Sequence, residues 1–297
     1  MQTVGIVSPG AMGSAMAGAL IRGGARVVAT LDGRSERTAR LAERARFELL
    51  PDLESVVEAS AAVLSIAPPE AALGIAGDIA SAARARDVQP LVADLNAIAP
   101  TTARQLGQIV EAAGCAFVDG SISGPPPSKR GTTRLYLAGV RAPAIAALPF
   151  DGVECIVVGD RIGDASAVKM STASVYKGTT AVLTQALLAA RANGVLEHVL
   201  ADLERGAPEL ASNSGRRVAN GATKAARYVG EMREIARAQS RAGLTPALFE
   251  AMAEVYAALS QTSFARRHPE ELGSDPALKD VLDELVTPSG RRGEPLP

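Results

Sequence analysis

Short β-branched and aliphatic runs alternate with longer Ala-rich stretches over the first half of the chain. The runs at 3–8, 26–30, 62–67, 91–95, 115–118, 133–138 and 155–158 read as strands. The stretches at 11–22, 37–45, 52–59, 69–83 and 101–113 carry their apolar residues at helical spacing. Strand alternating with helix predicts an α/β unit built on a mostly parallel sheet with covered faces. Past Gly163 no β-branched run remains. Helical patterning, broken at Asn193-Gly194 and Gly206-Ala207-Pro208, continues to about Val286, so the second domain is expected to be all-α. The expected organisation is therefore a sheet domain over residues 1–162, a helical domain over 163–286, and a Pro- and Gly-rich tail over 287–297 that reads as disordered.

Composition narrows the function classes. With 297 residues the chain is long enough for two domains with full cores. Its 31 Lys plus Arg nearly cancel its 32 Asp plus Glu, leaving a net charge of -1 and no basic lobe for nucleic acid. No uncharged apolar run reaches the roughly 18 residues of a membrane span, and the opening MQTVGIV reads as a strand, not a leader. Cys115 and Cys155 lie near strands without CxxC spacing and read as core residues, while His198 and His268 stand too far apart to build a zinc site. These features point to a reducing, cytoplasmic setting and to a metal-free protein.

Candidate chemistry begins at the first strand-to-helix turn. Thr3-Val4-Gly5-Ile6-Val7 runs into Ser8-Pro9-Gly10-Ala11-Met12-Gly13 and then a helix, the context in which backbone amides at a helix start face a pyrophosphate. Gly10 and Gly13 fill the second and third places of G-x-G-x-x-G, and Ser8 stands at the first. The turn thus predicts a Rossmann-type domain, with Ser8, Pro9, Gly10, Ala11 and Met12 against the cofactor. Asp32, 19 residues after Gly13, suits the ribose 2′-OH of NAD, whereas Arg34 and Ser35 suit a 2′-phosphate. Gly33-Arg34-Ser35 gathers several donors, which favours NADP and leaves NAD as the alternative.

Five segments in order resemble the β-hydroxyacid dehydrogenase family, relatives of 6-phosphogluconate and 3-hydroxyisobutyrate dehydrogenases. They are the glycine turn through Ala17, Ser65-Ile66-Ala67-Pro68-Pro69, Asp94-Leu95-Asn96-Ala97-Ile98-Ala99-Pro100, Phe117-Val118-Asp119-Gly120-Ser121-Ile122-Ser123-Gly124-Pro125 with its continuation to Gly139, and Gly163-Asp164-Ala165-Ser166-Ala167-Val168-Lys169. The resemblance implies that Ala67 and Pro68 lie beside the cofactor ribose and that Asn96 lies near the nicotinamide. It implies also that Ser123 and Gly124 offer a hydroxyl and amides to a substrate carboxylate, and that Lys169 is the catalytic lysine. Tyr176-Lys177-Gly178 and Arg227-Tyr228-Val229-Gly230-Glu231-Met232 are similar to the branch with an alternative 6-phosphogluconate dehydrogenase-like C-terminal domain.

Hydride transfer from a hydroxyl carbon requires that the hydroxyl lose a proton. A lysine serves that step when burial disfavours its ammonium form, and small or apolar residues surround Lys169. Thr172, Ala173 and Tyr176 share its helical stripe, at i+3, i+4 and i+7. Ala173 stands where the family commonly has an asparagine, which leaves Thr172 or Tyr176 to contact the substrate. Lys129 and Arg130 are candidates for holding an anion, and Arg227 with Glu231 reads as an i, i+4 ion pair. The expected function is hydride exchange between NADP(H) and a small anionic hydroxy or keto acid. The alternatives are an imine reductase, against which Lys169 counts, and a catalytically silent dinucleotide-binding protein. The apolar surface of the helical half predicts a homodimer.

Overall fold

The computed structural model describes residues 2–33, 35–127, 131–267, 272 and 276–286. The chain forms two compact units, Met1–Met170 and Ser171–Pro297.

The first unit alternates as the periodicity predicts. In order it comprises β1 (Thr3–Val7), α1 (Ala11–Arg22), β2 (Arg26–Ala29), α2 (Glu36–Ala45), β3 (Glu48–Leu49), α3 (Leu53–Ala59), β4 (Ala62–Ser65), α4 (Ala72–Arg86), β5 (Leu91–Asp94), α5 (Pro100–Glu111), β6 (Phe117–Ser123), β7 (Thr133–Ala138), α6 (Ala142–Ala146) and β8 (Val153–Gly159). The eight strands lie in the order β3-β2-β1-β4-β5-β6-β7-β8, parallel throughout except for the antiparallel β6–β7 pair. Because β2 and β4 flank β1, the connections leave in opposite directions there. A crevice opens at such a switch point, beyond the carboxyl ends of the strands. Both sheet faces are buried, which is why the inner strands read as continuous apolar runs. Val4, Ile6, Val27 and Leu64 pack with Met16 and Leu20 of α1 and Ile145 of α6 on one face. Val7, Val63 and Val92 pack with Ile75 and Ile79 of α4 and Leu106 and Val110 of α5 on the other.

Two departures from the pattern have physical causes. β3 is a two-residue exposed edge strand, too short to carry a period. The pattern predicts that β6 ends at Val118; it runs instead to Ser123, through Asp119, Gly120, Ser121 and Ser123. Gly120 sits mid-strand, where a Cβ would lie 2.4 Å from the Leu95 side chain and 3.0 Å from the Asp94 carbonyl oxygen. The polar residues of β6 are buried, and Asp119 and Ser121 are bonded to the next helix.

That helix, α7 (Asp164–Ala192), carries the boundary between the units. The described elements beyond it are α8 (Leu196–Gly206), α9 (Pro208–Ala211), α10 (Ser214–Thr223), α11 (Ala225–Arg241), α12 (Ala247–Ser260), a 3₁₀ turn (Ser263–Arg266) and α13 (Leu278–Val286). Tyr256 of α12 is fully buried and donates to the Lys177 carbonyl at 2.8 Å. The expected disordered tail, 287–297, lies outside the described residues, as does His268. Among the described residues no helix is long and apolar enough to cross a membrane, and no cluster of three metal-ligating side chains occurs.

Candidate functional site

At the end of β1 the backbone turns through Ser8 at φ 65°, a left-handed conformation that glycine adopts at low cost. The turn is closed by Gly10 N–H donating to Ser8 O (2.7 Å) and by the Ser14 hydroxyl donating to Pro9 O (2.7 Å). The two glycines that follow are required for different reasons. A Cβ on Gly13 would lie 2.7 Å from Ser8 O, so packing alone demands glycine there. A Cβ on Gly10 would meet nothing within 4 Å, so packing does not demand it. Helix α1 begins at Gly10 with no side-chain cap and no acidic residue in its first turn. Its leading amides and the positive end of its dipole are left to an external anion, and the space over Gly10 is what a pyrophosphate would fill. The donor set therefore fits a dinucleotide.

The cleft beside this turn is lined by Ser8, Thr30, Asp32, Leu53, Ile75 and Asp78, among others. Ser35 caps α2, its hydroxyl oxygen accepting from Thr38 N–H at 3.3 Å. Arg34 lies outside the described residues.

The next site segments cross the ends of β4 and β5. The side-chain oxygen of Asn96 accepts from Ala67 N–H at 2.5 Å, while its amide nitrogen donates to Asp94 Oδ2 (2.6 Å) and to Ser65 Oγ (3.2 Å). Asn96 N–H donates to Asp94 Oδ1 at 3.0 Å. Asn96 is expected to face ligand; in the structure it is buried and its side chain ties two strand ends together. Ala67 is half-buried and Pro68 exposed. Asp94 is wholly buried. Desolvation is the chief reason that its carboxyl is raised to about 7, and nearby Asp119 adds to the push.

β6 and the first turns of α7 are riveted together. Asp119 accepts from Gly163 N–H (2.9 Å), Ser166 N–H (3.1 Å) and the Ser166 hydroxyl (2.6 Å), and the Ser121 hydroxyl donates to Ala165 O at 3.0 Å. Burial raises the Asp119 carboxyl above its ordinary range, against these donors. One turn on, Lys169 Nζ donates to Ile122 O at 2.6 Å. Lys169 is thus fixed at the end of β6, next to Ser123, which is buried, and Gly124, which is exposed at φ +109°. Sequence reasoning did not single out Asp119. An acid directly after the apolar pair Phe117-Val118 was the available signal, since such a group, when buried, persists only when paired or hydrogen-bonded.

In the second unit, Thr172 is half-buried and Tyr176 exposed on α7. The expected Arg227–Glu231 pair forms at 3.1 Å, and Glu231, nearly fully buried, also pairs with Lys177. Lys177 Nζ lies 4.7 Å from the centre of the Tyr228 ring. Lys129 and Arg130 lie outside the described residues.

Residues 3–148 match the NAD binding domain of 6-phosphogluconate dehydrogenase, and residues 190–259 match a domain of unknown function (DUF1932). The N-terminal unit belongs to the family of the NAD binding domain of 6-phosphogluconate dehydrogenase. Among the solved structures that the chain resembles is a conserved protein of unknown function whose structure is described as similar to 3-hydroxyacid dehydrogenases. It is 29% identical, with a TM-score of 0.65, over 87% of this chain and 96% of that one. The 3-hydroxyisobutyrate dehydrogenase of Mycobacterium tuberculosis shares the fold at 20% identity and a TM-score of 0.66, over 97% of this chain and 100% of that one. An uncharacterized 28.5 kDa protein of Methanothermus fervidus is 27% identical over 58% of this chain, and the match spans 64% of that relative's length.

Proposed function

We propose that this protein transfers a hydride between NADP(H) and a small anionic hydroxy or keto acid, with Lys169 as general acid and base. The observation that carries the reading is the Lys169 Nζ bond to Ile122 O, which fixes the amine where β6 ends in Ser123-Gly124. When bound, the nicotinamide accepts or returns the hydride. In the oxidative direction Lys169 takes the hydroxyl proton as the carbon loses hydride and becomes a carbonyl. In the reductive direction the ammonium returns that proton to the oxygen. The carbonyl of Ile122 orients the amine, and the Ser123 hydroxyl and Gly124 amide serve a carboxylate. Ser8, Pro9, Gly10, Ala11 and Met12 hold the pyrophosphate, and Ala67-Pro68 lies against the ribose.

For the choice of cofactor a second reading has an observation behind it. Asp32 and Asp78 both line the cleft beside the turn, and two carboxylates there favour the free ribose hydroxyls of NAD over a 2′-phosphate. The NADP reading rests on Gly33-Arg34-Ser35. Direct titration with NADH and NADPH separates the two.

The test of function is Lys169→Ala, assayed on a panel of hydroxy and keto acids with both cofactors. Turnover should fall by about a thousandfold, with cofactor affinity unchanged within about twofold, in the range that a general acid–base group supplies. Normal turnover in that variant would remove Lys169 from the mechanism. Light scattering on the same samples reports the proposed homodimer, for which the exposed Val175 and Val182 on α7 supply apolar surface; a stable monomer would sink that part.

A further inference from the structure

The cluster formed by Ser65, Asp94 and Asn96 does more than fill the space between two strand ends. Two donors of Asn96 converge on Asp94, its backbone N–H on Oδ1 and its side-chain amide on Oδ2. With Nδ2 committed to Asp94 and Ser65, Asn96 can present only its oxygen to Ala67 N–H. An amide flipped by half a turn would put an NH₂ against that N–H and against no acceptor, so the carboxylate decides which way the amide points. The hydrogen bond to Ala67 in turn holds the backbone that leads into Pro68.

We infer that Asp94 is a positioning residue, which acts through the Asn96 amide to hold the Ala67-Pro68 backbone in the geometry that receives the nicotinamide dinucleotide. The inference rests on the cofactor reading above and deepens it. Asp94 itself is buried. Both carboxylate oxygens accept from Asn96, and the ionised form offers them the most acceptor capacity.

The environment of Asp94 works against that arrangement. Burial raises its carboxyl to about 7, and the charged group that bears on it from a neighbouring element is Asp119 of β6. The sign follows from linkage. A raised carboxyl binds its proton more tightly in the folded state than in the unfolded chain. The stability it contributes is therefore present below the unfolded value and is lost as pH rises through about 7. Positioning of Asn96 has the opposite sign, because the carboxylate that orients the amide forms as pH rises through the same range. Dinucleotide affinity should thus improve between about pH 6 and pH 8 while thermal stability declines, a crossing that a purely structural role would not give.

The test measures NADH and NADPH binding by fluorescence titration from about pH 6 to pH 8, together with the melting temperature, for the wild type and two isosteric variants. Asp94→Asn puts an NH₂ where one oxygen faced a donor, so affinity should fall by about tenfold and lose its pH dependence. The exchanged pair, Asp94→Asn with Asn96→Asp, rebuilds the array with donor and acceptor reversed. The amide placed on β5 would then donate to the new carboxylate two residues on, and that carboxylate would accept from Ala67 N–H and the Ser65 hydroxyl. The exchanged pair should recover most of the affinity. A folded Asp94→Asn variant with wild-type affinity and pH dependence would overturn the inference. If that variant fails to fold, a wild-type affinity that is flat across this pH range, or an exchanged pair that folds but does not bind, overturns it. A wild type that binds neither dinucleotide refutes the cofactor reading instead.

Discussion

Helix α1 and helix α7 begin in opposite ways within one unit. The first has no side-chain cap, no acid in its first turn and open space over Gly10. The second begins against Asp119, whose two oxygens take the amides of Gly163 and Ser166 and the hydroxyl of Ser166. Every helix start presents orphan amides and a positive dipole end. At α7 the chain answers them with a carboxylate of its own and so fixes a side chain, Lys169, one turn further on. At α1 it leaves them open, and under the proposed function a ligand's charge would answer them. The same physics thus makes an internal anchor in one place and a binding surface in the other, and the difference lies in whether an acid is within reach.

The largest effect is expected where the internal anchor is removed. Asp119→Ala strands three donors at the buried start of α7 and should cost about 2–4 kcal/mol. Differential scanning calorimetry should show the melting temperature falling by roughly 5–12 °C. Turnover should fall too, since Lys169 loses its fixed approach to Ile122 O. A variant as stable as the wild type would mean that the amides of α7 need no acid, and the contrast between the two helix starts would collapse.

The open helix start should respond in affinity and leave stability nearly untouched. In Gly10→Ala the new methyl meets no protein atom within 4 Å and the residue keeps a φ of -69°, so folding should change by under about 1 kcal/mol. The same methyl occupies the path of a pyrophosphate, and dinucleotide affinity should drop by about ten- to a hundredfold in a fluorescence or calorimetric titration. Unchanged affinity would show that the phosphates bind elsewhere.

These two helix starts were unequally legible in the sequence. The α1 turn announced itself because glycine is read directly, and Gly10-Ala11-Met12-Gly13 followed a clear strand. The order of strands and helices was equally readable, since the buried parallel strands make continuous apolar runs. The anchor of α7 was hidden because its parts are distant in sequence: Asp119 and Ser166 lie 47 residues apart and meet only when β6 lies against the helix. Asn96 was found as a residue but not in its role, because nothing local shows that Asp94, Ser65 and Ala67 use up its side chain. Periodicity reports burial, whereas hydrogen-bond partners across strands are set by register.

The smallest expected effect lies at the first position of the glycine turn. Ser8 holds φ 65°, which costs a non-glycine residue about 1 kcal/mol or more. Ser8→Gly removes that cost but also loosens the unfolded chain, a loss of about 0.5–1 kcal/mol. The two nearly cancel, so urea unfolding should show a gain of no more than about 0.5 kcal/mol. Dinucleotide affinity should move by less than about threefold, because the amides at the start of α1 keep their places while Gly10 N–H stays bonded to Ser8 O. If affinity instead fell about tenfold with stability unchanged, the Ser8 hydroxyl would be a phosphate ligand in its own right. The open helix start would then be partly answered from within, and the contrast with α7 would become one of degree.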